Sequence, residues 1–199
     1  MWATIWLALL ALQGDVAGQD GPPPPEIGDR APPLELANAD GATVAGDASG
    51  EIVVVDFFAT WCRPCHRSLR DLVAISQTLG PRVRYVLIDG GESPEVVREF
   101  LSPTTLPGGT KVAIDPRGAI MRRWGAHSFP TVFLVDRDGV IRHINRGWGG
   151  GYHARLLRWL REMLGDIPPP VASRTRAASR APEPPAREIV KGVEILRGP

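Results

Sequence analysis

Apolar and polar positions along the chain change period from segment to segment. Ile52 to Phe57 is a continuous apolar run interrupted only by Asp56, and a run without alternation predicts a central strand covered on both faces. Behind it, Cys65, Leu69, Leu72, Val73, Ser76 and Leu79 recur at helical spacing, with Arg63, Arg67, Arg70 and Asp71 largely on the other side. Gly80-Pro81 ends that helix. Val83 to Ile88 predicts the next strand. Ser93-Pro94-Glu95 reads as a helix start, an N-cap followed by proline at the first helical position, with Val96, Val97, Phe100 and Leu101 as its buried side. A strand over Val112 to Ile114 and a short helix over Gly118 to Trp124 follow. Asp136-Arg137-Asp138-Gly139 between Thr131–Val135 and Val140–Ile144 predicts a hairpin, as does Asn38-Ala39-Asp40-Gly41 between Leu34–Leu36 and Thr43-Val44. Tyr152 to Leu164 is the last helix. Leu156, Leu157, Leu160, Met163 and Leu164 form its apolar stripe, and Arg155, Arg158 and Arg161 read as a solvated face.

This order predicts an α/β fold, a central mixed sheet with helices on both faces, in one domain over residues 26–164. The ends differ in character. Trp2 to Leu12 is an uncharged apolar run too short to cross a bilayer comfortably, and small residues at Val16, Ala17 and Gly18 offer a cleavage site. Residues 1–18 therefore read as a signal peptide, although Met1 supplies the only positive charge of its n-region, so an uncleaved membrane anchor is the alternative. Residues 19–25 read as a linker. From Gly165 the composition turns to Pro, Ala and Arg, without the apolar periodicity to offset ordering entropy, so 165–199 reads as a disordered tail. Ile189 to Leu196 revives hydrophobicity within it, read as a frayed end with a strand or short linear motif as the alternative. A formal net charge of +1 gives no global electrostatic argument for nucleic acid or for an acidic surface as partner.

Cys62 and Cys65 are the only cysteines, in Cys-Arg-Pro-Cys at the start of the predicted helix. Two thiols at this spacing suit a redox dithiol, a structural disulfide or half of a zinc site. Zinc needs two further ligands, and His66, His127, His143 and His153 show no His-x-x-x-His pairing. A peroxidase would be expected to show a proline-threonine-cysteine arrangement, which is missing. Asp56 places a carboxylate in an otherwise apolar central strand, where ionisation is costly. Its pKa is expected to rise, which makes it a candidate proton acceptor for Cys65; the alternative is an Asp at a strand end facing solvent or capping a turn.

Three stretches resemble the thioredoxin superfamily, and within it the exported TlpA/ResA-like thiol-disulfide oxidoreductases. Asp56-Phe57-Phe58-Ala59-Thr60-Trp61-Cys62-Arg63-Pro64-Cys65 resembles the active-site signature over its whole length. Ser128-Phe129-Pro130-Thr131 resembles the cis-proline loop, and Gly28-Asp29-Arg30-Ala31-Pro32 with Asp40-Gly41 the N-terminal hairpin extension. The sixty-five positions from Cys65 to Pro130 also leave room for a βα insertion like that of the TlpA-like branch.

The resemblance implies a thioredoxin-like fold and a thiol-disulfide oxidoreductase whose redox-active disulfide, Cys62-Cys65, is its only redox group, with no other cofactor and no metal. Cys62 would be the attacking sulfur, its thiolate favoured by the helix N-terminus so that its pKa falls below the free value of about 8.5. Cys65 would resolve the mixed disulfide. Arg63 would add positive charge beside the thiolate, and Pro64 would fix the backbone at the helix start. Pro130 would be cis, exposing the backbone of Phe129 to an extended substrate and keeping metal ions off the thiols. Trp61 and Phe129 read equally as an apolar surface around Cys62 or as ordinary core, and His66 and His127 as surface residues. The implied partners are client proteins in the periplasm, apocytochrome c among them, and a membrane thiol-disulfide carrier that recharges a monomeric enzyme. The opposite direction, disulfide donation, and a non-catalytic binding module with a structural disulfide are the rivals. Two positions depart from the family: Ser68 stands where TlpA-like proteins often have Glu, and Arg70 where they often have Pro.

Overall fold

The computed structural model describes residues 23–37, 43–46, 50–167, 187–190 and 193–196; the proposed signal peptide lies outside them. Five strands form the central sheet: β3 (Ile52–Phe58), β4 (Val83–Asp89), β5 (Lys111–Ile114), β6 (Thr131–Val135) and β7 (Ile141–Arg146). Their order is β5-β4-β3-β6-β7. The first three run parallel, whereas β6 is antiparallel to both β3 and β7. Helices α1 (Arg63–Leu79), α2 (Pro94–Leu101), α3 (Ala119–Trp124) and α4 (Tyr152–Leu164) connect or close these strands. A separate hairpin, β1 (Leu34–Ala37) with β2 (Thr43–Gly46), precedes the sheet. Ahead of it, Gly28 and Ala31 donate backbone bonds to the carbonyls of Ile141 and Gly139, which ties the start of the domain to the β6–β7 hairpin.

Every residue of β3 is buried, as an unbroken apolar run requires. Its alternation sorts the core into two faces. Val53, Val55 and Phe57 pack with Trp124, Phe133 and Ile141, while Ile52 and Val54 pack with Leu72, Ile75, Tyr152, Leu156 and Leu160. Toward the C-terminal end of the strand, Phe58 joins Ala59, Cys62, Cys65 and Leu69. Asp56 has the parity of Val54 and Phe58, so it lies on the face that α1 covers. In the sheet it stands between Leu87 and Val132.

Two helix faces differ in detail from the sequence reading. In α1 the buried positions are Cys65, Ser68, Leu69, Leu72, Ile75, Ser76 and Leu79, and Val73 is only half-buried. The buried set follows successive steps of three and four, and Val73 falls one position off that ridge. In α2, Val97 and Leu101 are buried four residues apart, Phe100 is half-buried and Val96 is exposed. Ser93 caps α2 with its side chain on the Val96 amide.

The compact unit ends at Asp166. Within the second unit, β8 (Arg187–Val190) and β9 (Val193–Leu196) pair antiparallel, Val190 opposite Val193. Within the tail read as disordered, Arg187–Val190 and Val193–Leu196 are thus paired strands, and residues 168–186 lie outside the described residues. Strand-forming residues on either side of a two-residue Lys191-Gly192 link favour a hairpin there.

Candidate active site

Strand β3 delivers the chain to the site. Beyond Phe58, Ala59-Thr60-Trp61 leads to Cys62, which takes the N-cap position of α1 in an extended conformation. Its Sγ accepts the Cys65 amide hydrogen at 3.2 Å. The two sulfurs are joined in a disulfide, Cys62 at 5% exposure and Cys65 at 1%. Pro64 lies in the first two positions of the helix, where its missing N–H has no intrahelical partner to lose, and that turn holds no acidic residue. Arg63 and Pro64 are exposed.

The surroundings of the pair divide into an apolar rim and a buried polar floor. Trp61 is 70% exposed, so it is rim rather than core, and its ring meets Phe129 edge-on at 5.9 Å. Phe129 is half-buried, packs against both the Phe57 cluster and the Phe58–Cys62 cluster, and precedes the buried Pro130. The Phe129–Pro130 peptide is cis. His66 is exposed, with Nε2 at 2.6 Å from the Thr60 carbonyl and its ring against Phe100, and His127 is exposed.

Asp56 belongs to the floor. It is 1% exposed, its Oδ1 has no hydrogen-bond partner, and burial pushes its pKa well above the usual carboxylate range. The alternative of an Asp facing solvent at a strand end is thereby removed. Neighbours on the same face are Cys65 and Leu69 beyond it and Leu72 and Tyr152 behind it. Ser68 is fully buried and donates its hydroxyl to the Cys65 carbonyl at 3.0 Å. Tyr152 is 1% exposed. Burial, followed by the charges of Asp56 and Asp71, drives its hydroxyl far above the ordinary tyrosine range, with Ser68 opposing. Asp71 meanwhile holds the start of α4, accepting Trp148 Nε1 at 2.8 Å and lying 3.2 Å from His153 Nδ1.

One wall of the site has no counterpart in the sequence reading: Gly90, Gly91 and Glu92 after β4. Their only signal is a Gly-Gly pair at the end of a strand, which reads as a turn. Gly90 is there for space, since a Cβ on it would lie 2.5 Å from Cζ of Phe129. Gly90→Ala is therefore expected to displace the Phe129 ring, at an overpacking cost of about 1–3 kcal/mol. Thermal unfolding and steady-state kinetics would check this: a lowered Tm and a KM for a protein disulfide raised several-fold, with alkylation of reduced Cys62 unchanged. Among the described residues no three His, Cys, Asp or Glu side chains converge to hold a metal ion.

Residues 27–144 match the model of the AhpC/TSA family. The chain is 30% identical over 118 residues to the thiol-disulfide oxidoreductase ResA of Bacillus thuringiensis, spanning 58% of this chain and 67% of that protein. It is 28% identical over 124 residues to the thioredoxin-like protein YneN of Bacillus subtilis, spanning 60% and 71%. Among solved structures, a putative thiol:disulfide interchange protein DsbE from Chlorobium tepidum superimposes with a TM-score of 0.62 at 28% identity, over 70% of this chain and 99% of that one.

Proposed function

The chain belongs to the AhpC/TSA family and is a thiol-disulfide oxidoreductase, and from that premise we propose that it works as a protein-disulfide reductase on exported clients. The observation that carries the reading is Asp56: a buried, incompletely satisfied carboxyl group on the face covered by the Cys65 helix, made more basic by burial. With its pKa raised toward that of a thiol, such a group in its ionised form accepts the resolving thiol's proton and returns it later.

In the reduced enzyme the Cys62 thiolate sits where the α1 amides point, and it attacks one sulfur of a client disulfide. A Cys62–client bond forms as the client S–S bond breaks, and the departing client thiolate takes a proton from solvent. Cys65 then loses its proton to Asp56 and attacks Cys62 Sγ. The Cys62–Cys65 bond forms, the client leaves with its second sulfur reduced, and two electrons have passed from enzyme to client. Pro130 keeps the Phe129 backbone available to an extended client segment, while Trp61 and Phe129 contact its apolar side chains. Arg63 adds positive charge beside the thiolate, and Pro64 fixes the turn. The dithiol is the only redox group this cycle needs. A membrane thiol-disulfide carrier is the proposed source of electrons that return the enzyme to its dithiol form, and a monomer in the periplasm is the proposed setting, a localisation the apolar run Trp2 to Leu12 supports. Apocytochrome c, whose haem-binding thiols must be reduced, fits as client.

Insulin reduction driven by dithiothreitol tests the reading. Wild type is expected to speed precipitation of the insulin B chain, and Cys62→Ser to leave the rate at that of dithiothreitol alone. Equal rates for the two proteins would rule the reading out.

A further inference from the structure

Thr60 stands two residues ahead of Cys62, and each of its polar groups is engaged. Its amide donates to Glu92 Oε2 at 2.6 Å, its hydroxyl to Glu92 Oε1 at 2.5 Å, and its carbonyl lies 2.6 Å from His66 Nε2. A carboxylate thus grips, with both oxygens, the segment that feeds the N-cap of α1, from thirty-two positions along the chain. Charge-assisted bonds of this length are the strong ones.

Glu92 is held in turn by Asp89. Asp89 Oδ1 accepts the amides of Glu92 at 2.6 Å and Gly91 at 2.9 Å, and its buried Oδ2 has no partner. Burial raises the Asp89 carboxyl, and its neighbour's charge adds to that. Burial pushes Glu92 the same way, yet the Thr60 hydroxyl and amide outweigh it and hold Glu92 below the usual range. The two shifts run in opposite directions and favour the ionised form on Glu92, the form able to accept twice. Other titratable groups close to the pair are already engaged. His66 on α1 sits over the Thr60 carbonyl, Asp115 donates its amide to the Asp89 carbonyl and accepts the Met121 amide on Oδ2, and Glu95 at the start of α2 faces solvent beside Arg98.

We infer that Glu92 is a positioning residue for the Cys62 nucleophile: by clasping Thr60 it fixes the backbone entering α1, so that Cys62 Sγ stays on the helix amides that stabilise its thiolate. The contact at stake is the Cys65 amide on Cys62 Sγ, which Cys62 accepts from its extended N-cap conformation. If Thr60 is released, the cap frays and the thiolate loses that donor.

The inference rests on Cys62 being the attacking sulfur, and its test separates the two. Reduced full-length wild type, Glu92→Gln, Glu92→Ala and Thr60→Val are alkylated with iodoacetamide across pH, the labelled cysteine is identified by peptide mass, and the Cys62 thiol pKa is read from the rate profile. Glu92→Gln and Glu92→Ala lose the same charge, but glutamine keeps an acceptor for Thr60 and alanine keeps none. Cys62 in Glu92→Ala is expected to have a pKa about one unit above that in Glu92→Gln, and so to label about tenfold more slowly below that pKa. Thr60→Val, which leaves both carboxyls in place, is expected to raise the Cys62 pKa above wild type. Superimposable profiles for the two Glu92 variants, or a Thr60→Val profile identical to wild type, overturn the inference while leaving Cys62 as nucleophile. Labelling of Cys65 ahead of Cys62 in wild type overturns the nucleophile assignment itself.

Discussion

Cys65→Ser is expected to turn the enzyme from a catalyst into a trap. The variant keeps the Cys62 thiolate and the helix amides that face it, so the first exchange with a client disulfide proceeds. Nothing then attacks Cys62 Sγ from within, because a serine hydroxyl at neutral pH is no substitute for a thiolate, and the mixed disulfide accumulates. Turnover of insulin should fall to the dithiothreitol background, with a covalent adduct visible on a non-reducing gel and released by added thiol. Cys62→Ser, with only the 1%-exposed Cys65 left, should form no adduct. Adducts through Cys65 in that variant would reverse the two roles.

The second large effect concerns Asp56, where activity and stability move in opposite directions. Asp56→Asn keeps the shape and removes the proton acceptor, so resolution of the mixed disulfide should slow by about 10²-fold at neutral pH, within the range for loss of a general base. Stability should rise. Because burial lifts the carboxyl in the folded protein above its value in the unfolded chain, the folded state binds the extra proton. Its contribution is fully present below the unfolded pKa and is lost as pH rises through the folded pKa, at about 1.4 kcal/mol per unit of displacement. Urea unfolding of wild type should therefore weaken from acid toward neutral pH relative to Asp56→Asn, which has no carboxyl to ionise. Parallel curves for the two proteins would mean that burial does not raise the Asp56 carboxyl in the fold.

How legible the site was depends on how far apart in sequence its partners lie. Ile52 to Phe58 and the stripe of α1 are signals of period and run length, and together they bring the Cys-Arg-Pro-Cys turn to the end of a buried strand with no long-range knowledge. The β6–β7 hairpin was legible for the same reason, since Asp138-Gly139 is local turn chemistry. Asp56 was readable because a lone carboxylate in an apolar run has to be explained. Glu92 gave no such sign: an exposed-looking acid after a Gly-Gly turn is ordinary, and its meaning comes only from Thr60, beyond the end of the neighbouring strand. Gly90 was silent likewise, since the ring it makes room for is thirty-nine positions away. Trp61 could not be assigned to rim or core from sequence, because an aromatic residue next to a turn suits either. In the tail, the composition of 165–199 pointed to disorder and did not reveal that Arg187–Val190 and Val193–Leu196 pair with each other.

The direction of electron flow is the central claim, and the midpoint potential of the Cys62–Cys65 couple measures it most directly. Equilibrating the protein with glutathione or dithiothreitol redox buffers at pH 7, and counting reduced thiols at each poise, yields that potential. A reductase should lie near thioredoxin, at about −270 mV. A value near that of strong disulfide donors, about −120 mV, would contradict the account and make the protein an oxidase.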